Sequence, residues 1–202
     1  MNKNRLMKTT VTDSGEITDH GDYSEVMNLS NLDVIESDKD EQTVNLEKGK
    51  FYYQGNLEKA ELPWSFDISY ILDGDDVSEE ELAGAEGDLV INIKTKRNPG
   101  VVDESFFNAY MLQVSLNLDA TLCEDIVVDG ANISDAGSDE KITFMVNPGS
   151  EASLKVSASV KDFEMDDISI AAVSTANRPI SFVSDDNNNH IGTTNFIIYL
   201  KV

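Results

Sequence analysis

Between Ser153 and Phe163 the chain reads SLKVSASVKDF, with Leu154, Val156, Ala158 and Val160 at every second place and Lys155, Ser157, Ser159 and Lys161 between them. Successive side chains of a strand point to opposite faces, so this period of two suits a sheet with one buried side and draws no apolar stripe on a helix. The pattern recurs along most of the sequence. Trp64, Phe66, Ile68, Tyr70 and Leu72 share one face of 64–72, opposed by Ser65, Asp67 and Ser69. Leu89, Ile91 and Ile93 alternate in DLVINIKTK, Tyr110, Leu112, Val114, Leu116 and Leu118 in YMLQVSLNL, and Ile142, Phe144 and Val146 in KITFMV.

Turn chemistry punctuates these runs. Pro63 precedes the 64–72 run, where a missing N–H costs least, and Asp73-Gly74 ends it. Glu47-Lys48-Gly49 divides TVNLEKGKFYYQ (43–54) as a hairpin loop, and Asn147-Pro148-Gly149-Ser150 predicts an antiparallel hairpin joining KITFMV to SLKVSASVKDF. Ser78-Glu79-Glu80-Glu81 reads as a capping box ahead of Leu82-Ala83-Gly84, which predicts one short helix near 78–83. Short, closely spaced strands with almost no helical period argue an all-β fold, an antiparallel β-sandwich of Ig-like character.

A chain of 202 residues can bury roughly 70% of its unfolded surface without a metal or disulfide. Residues 42–202 read as one sandwich domain. Residues 1–41 read as an N-terminal hairpin segment, with TDSGEITDHGDY as the hairpin and SDKDEQ as an acidic loop, either packed on the main domain or forming a smaller lobe. In the tail after Thr175, Phe196, Ile198 and Tyr199 suggest a last strand.

The 38 Asp and Glu against 15 Lys and Arg give a net charge of −23. With an ordinary apolar content this is a surface property, and it disfavours nucleic acid and anionic lipid as partners. The basic run Lys94-Thr95-Lys96-Arg97 reads as a solvated face or as protection of an edge strand. No apolar stretch approaches the roughly 18 residues a membrane helix needs, so this segment inserts into no membrane directly, and MNKNRLMKTT has a basic start without an apolar region behind it. The chain is then either cytosolic or a piece of a longer exported protein. Cys123 is the sole cysteine, and the neighbouring Glu124 and Asp125 oppose a thiolate, so it reads as an inert packed residue.

The search for chemistry assigns no catalytic, cofactor-binding or metal residue, and no cofactor. His20 and His190 are read as loop histidines without a third ligand at usable spacing, and no G-x-S-x-G occurs. Asp75-Asp76 and Asp166-Asp167 are read as solvated acids. DGDDVSEEE departs from a calcium loop because Gly74 takes the second place, where such a loop has its glycine sixth. SDDNNNH, whose Asp185, Asp186 and neighbouring Asn residues could form an irregular Ca²⁺ site, is read instead as a polar loop.

Five stretches stand in order, ITDHGDYSEVMNLSN, GKFYYQGNLEKAELPWSFDISYILDGDDVSEEELAG, FFNAYMLQVSLNLDATLCEDI, ANISDAGSDEKITFMVNPG and ASVKDFEMDDISIAAV, within a match that runs from about residue 11 to 173. Together they resemble the extracytoplasmic region of Gram-positive, Clostridia-type envelope proteins that carry X-X-X-Leu-X-X-Gly heptad repeats and are similar to the phage-infection-protein group. The resemblance implies a β-rich outer domain at the cell surface or envelope, without enzymatic activity, set between an N-terminal export segment and a helical repeat region with its anchor. The chain departs from that pattern at both ends, as an excised domain would.

Two functional expectations follow. One is a non-enzymatic envelope module that meets other envelope proteins or the rest of its parent chain. The alternative is a carbohydrate- or Ca²⁺-binding surface module, with Trp64, Tyr52 or Tyr53 as a stacking platform and the acidic loops as cation ligands.

Overall fold

The computed structural model describes residues 2–11, 15–20, 23–38, 41–47, 49–57, 61–101, 104–174, 180–184 and 189–201. In chain order these hold β1 (Asn2–Val11), β2 (Gly15–His20), β3 (Tyr23–Asn28), β4 (Glu36–Asp38), β5 (Glu41–Leu46) and β6 (Gly49–Leu57). Then come β7 (Trp64–Leu72), β8 (Asp75–Val77), a 3-10 turn (Glu79–Glu81), β9 (Gly87–Arg97), α1 (Ser105–Ala109), β10 (Tyr110–Asp119) and β11 (Cys123–Val128). The chain continues through β12 (Ala131–Ala136), β13 (Asp139–Val146), β14 (Ala152–Val160), β15 (Ser169–Ser174), β16 (Ile180–Ser184) and β17 (Asn189–Lys201). They form two compact units: Glu61–Ile170, and Met1–Ala60 together with Ala171–Val202. The sequence boundary at 41/42 therefore does not mark the division, which falls at 60/61 and 170/171. Strand period reports which face is buried, and it carries no information about a unit assembled from both ends of a chain.

Glu61–Ile170 is an antiparallel β-sandwich, as its alternating runs require. One sheet has the order β11-β14-β9-β7-β8, and the other brings β12, β13 and β10 side by side. The buried face of the first carries Leu89, Ile91 and Ile93 from β9 with Val156, Ala158 and Val160 from β14. The second supplies Leu112, Val114, Leu116 and Leu118 from β10 with Ile142, Phe144 and Val146 from β13. These are the inward positions that the period of two predicts, and Ile93 and Val114 are each 0% exposed. At about 1.5–3 kcal/mol per fully buried aliphatic or aromatic side chain, this layer is the main stabilising term of the unit.

In β7 the predicted face is buried fully only at Trp64, and Phe66, Ile68, Tyr70 and Leu72 are half-buried. The reason lies in the pairing: β8 covers β7 only from Tyr70 to Leu72, which leaves the first two thirds of β7 at the border of the sheet. The β7–β8 hairpin itself turns on Asp73-Gly74, both at positive φ (52° and 94°), the type I′ geometry that matches strand twist. Asp73 Oδ1 accepts the Asp88 N–H at 2.8 Å, which seats the turn against β9.

The hairpin expected across Asn147–Ser150 does not form. The turn is present, with the Ser150 N–H donating to the Asn147 carbonyl at 3.1 Å and the Gly149 N–H to the Phe107 carbonyl at 2.8 Å. It carries the chain from β13 in one sheet to β14 in the other, because each strand has an apolar face that the opposite layer covers. The helix expected near 78–83 is the 3-10 turn Glu79–Glu81. There Glu81 accepts both the N–H and the hydroxyl of Ser78 at 2.8 Å, and these bonds hold its carboxyl below the usual carboxylate range. The five-residue α1, which buries Phe107, was not foreseen. β9 lies between β14 and β7, so Lys94 and Lys96 are a solvated face and do not protect an edge.

The second unit places β17, β1, β6 and β3 in that order, with β16 beside β17, and sets β2, β5 and β4 in a separate sheet. β1 pairs with β17 from Asn2↔Lys201 to Val11↔Gly192 and with β6 from Asn4↔Asn56 to Val11↔Gly49. A last strand in the tail is thus present. The 43–54 run is not a hairpin, since β5 pairs with β2 and β4 while β6 pairs with β1 and β3. TDSGEITDHGDY lies partly outside the described residues; it contains β2 and reaches the first residue of β3, and these two strands lie in different sheets. The SDKDEQ stretch is a tight β4–β5 hairpin pairing Asp38 with Glu41, its residues 39 and 40 lying outside the described set. Gly55 is required for its size: a Cβ there would collide with the ring of Tyr23.

Candidate functional site

Most residues singled out in the sequence serve the fold. Trp64 is 3% exposed, with its ring tilted at 6.4 Å against Phe107. Tyr53 is buried beside Phe51, and Tyr52 is half-buried. Trp64 and Tyr53 therefore form no exposed platform on which a sugar could stack, because each completes an apolar layer. Arg97 of the basic run ion-pairs Glu104 at 2.9 Å, and its backbone N–H donates to Glu151 Oε1 at 3.1 Å, so the run gathers no phosphate site. The side chains of His20 and His190, and residues Asp185 and Asp186, lie outside what the structure describes.

Cys123 starts β11 and is buried. Burial first, and then the charges of Asp119 and Glu140, push its thiol from an ordinary 9.0 up to about 11. The reading of an inert thiol agrees with this, but the acids responsible face it from β10 and β13, not from the adjacent Glu124 and Asp125.

Near these acids lies an open groove of about 230 Å³ lined by Asn117, Asp119, Leu122, Asp139, Glu164, Met165 and Asp166. A bridge between Leu118 and Met165 brings the segment after β14 against the end of β10. Asp119 accepts the Thr121 N–H at 2.7 Å and its hydroxyl at 2.6 Å, and both bonds favour the charged form, lowering its pKa. Among the described residues no group of three or more His, Cys, Asp or Glu could hold a metal ion. The groove is a solvated acidic recess.

A different kind of surface follows β3. Asn28 Oδ1 accepts the N–H groups of Ser30 at 2.9 Å and Asn31 at 3.2 Å, while its amide donates to the Asp33 carbonyl at 2.8 Å. Asn31 donates to Asp33 Oδ2 at 2.7 Å and accepts the Asp33 N–H at 3.1 Å. The loop is fastened to β6, since the Leu29 N–H donates to the Tyr52 carbonyl at 2.9 Å and Ser30 Oγ accepts the Tyr52 N–H. Asn and Asp side chains that bond their own backbone in this way fix a turn. Here they consume the loop's polar groups internally and leave its apolar ones outside: Leu32 is 101% exposed and Val34 83%. Sequence reading passed over this loop because its apolar residues do not alternate; the Asn28, Asn31 and Asp33 spacing was the available signal.

No helix among the described residues is long and apolar enough to cross a membrane. No family model and no curated protein matches the chain. Among solved structures, the N-terminal domain of the Streptococcus gordonii adhesin Sgo0707 is similar at a TM-score of 0.30 and 11% identity, over 96% of this chain. The chain spans 56% of the length of that one.

Proposed function

We propose that the chain is a non-enzymatic protein-interaction module of an extracytoplasmic envelope protein, of the kind its residues 11 to 173 resemble. The observation that carries the interaction reading is the clamped loop with Leu32 and Val34 held in water. Burying each against a partner is favourable by about 1.5–3 kcal/mol, and the hydrogen bonds from Asn28 and Asn31 mean that little ordering entropy is lost when the loop docks. The envelope compartment in this reading comes from the resemblance, and the net charge of −23 directs the module toward protein and away from anionic lipid.

The test is retention of Gram-positive envelope proteins, or of the remaining parent chain, on immobilised protein, compared with a Leu32→Asp/Val34→Asp variant. Retention that the variant abolishes is expected. Equal retention by both, or none by the unaltered protein, would sink the reading.

A further inference from the structure

We propose that the outer edge of β12 accepts, as an added strand, an extended peptide that carries apolar and basic side chains two places apart on one face. The inference goes beyond the loop of the other unit and stands on the sandwich alone. β12 is the terminal strand of its order and pairs with β13 without a break in register, from Ala131↔Phe144 to Ala136↔Asp139. Among the described residues nothing pairs with its other side.

The remaining borders of the sandwich carry devices against strand addition. β11 is broken by a register shift between Glu124 and Val127, with Asp125 at φ 51°, and β8 is three residues long with two acids. The uncovered part of β7 follows Pro63 and carries the exposed Asp67 at its middle. Bulges, short strands, charges and prolines are how sheets blunt an edge. β12 has no Pro and no bulge, and its one charge is Asp135.

The side chains along β12 specify the occupant. Ala131, Ile133 and Asp135 share the face of their partners Phe144, Ile142 and Glu140. Ile133 is 44% exposed although its partner Ile142 is fully buried, so the apolar layer stops at β12 for want of a further strand. A residue set beside Ile133 is apolar by this logic, and one two places along lies opposite Asp135, with Glu140 one strand beyond, and is Lys or Arg. The acidic groove around Asp119 and Asp139 lies at that same end of the sheet and strengthens the demand for positive charge. A second copy of this chain brings −23 of its own and fits the edge poorly.

The experiment uses the isotope-labelled full chain and a capped nonapeptide in which Thr alternates with Ile and Lys. Amide shifts and slowed exchange confined to Ala131–Ala136 and its β13 partners are the expected result. Binding should weaken about tenfold in Ile133→Lys and in Asp135→Lys, and should vanish when Glu replaces Lys in the peptide. Both substituted side chains are exposed, and an unchanged amide spectrum elsewhere confirms that the variants fold. The proposal is overturned if no peptide shifts β12, if the shifts fall on β8 or β11, or if Ile133→Lys binds unchanged. It is also overturned if sedimentation finds a dimer that Ile133→Lys dissociates, since the occupant would then be a second copy. The Leu32→Asp/Val34→Asp variant should bind this peptide normally, so failure of one interaction reading leaves the other standing.

Discussion

Glu61–Ile170 closes its sandwich from one unbroken run of sequence, whereas the other unit needs both ends of the chain, with β1 held between β17 and β6. Alternate positions are buried in both, at Leu89, Ile91 and Ile93 in the first and at Phe51 and Tyr53 in the second. What differs is the length of chain that must be ordered before a strand meets its neighbour. Loop-closure entropy grows only by about 0.6 kcal/mol for each doubling of length, so the distant pairing weighs more on folding rate than on final stability. The contiguous unit can form first, and the two-ended one depends on a strand nearly two hundred positions away, Asn2 opposite Lys201.

Removing β17 should have the largest effect and tests this difference directly. Hydrogen exchange in β1 and β16 is expected to lose its protection, while β9, β10, β13 and β14 keep theirs. Collapse of protection in both sets would break the contrast. A matched pair of substitutions sharpens it. Ile93→Ala empties a fully buried position and should lower the stability of the sandwich by about 2–5 kcal/mol. Gly55→Val drives a side chain into the Tyr23 ring and should cost the two-ended unit about 1–3 kcal/mol. Denaturant titrations followed by residue-resolved exchange should show each change confined to its own unit.

The smallest effect concerns pH. The Cys123 thiol is raised from 9.0 to about 11 in the folded protein, by burial foremost. Its stabilisation is complete below the unfolded value, and between that value and about 11 only the unfolded chain releases the proton. Stability therefore falls as pH rises through this window. Urea midpoints measured from pH 8 to 11 should show the decline in the sandwich and a shallower one in Cys123→Ala. Identical slopes would remove Cys123 as the cause.

The faces of the strands were legible because alternation is a local property: Leu89, Ile91, Ile93, Leu112, Val114 and Val156 point inward as their spacing requires. The neighbours of the strands were not. KITFMV and SLKVSASVKDF are joined by a sound turn, and the same sequence serves a hairpin or a crossing between layers; the choice rests on which strands fill the opposite sheet. α1 was hidden because five residues are too few to show a helical period. Of the surfaces, the Leu32 loop left a trace in its Asn and Asp spacing. The β12 edge left none, since an edge is defined by the absence of a neighbour, which no residue of ANISDA records.

The Asn2↔Lys201 pairing also has a mechanical meaning. Antiparallel neighbours whose outer ends sit side by side, when pulled apart at those ends, bear the load on one rung at a time, so the ladder peels open like a zipper at low force instead of resisting in shear. Tension applied between residues 2 and 201 would then release β1 from β17 before it reached the sandwich. A single-molecule trace in which Glu61–Ile170 yielded first would contradict that order.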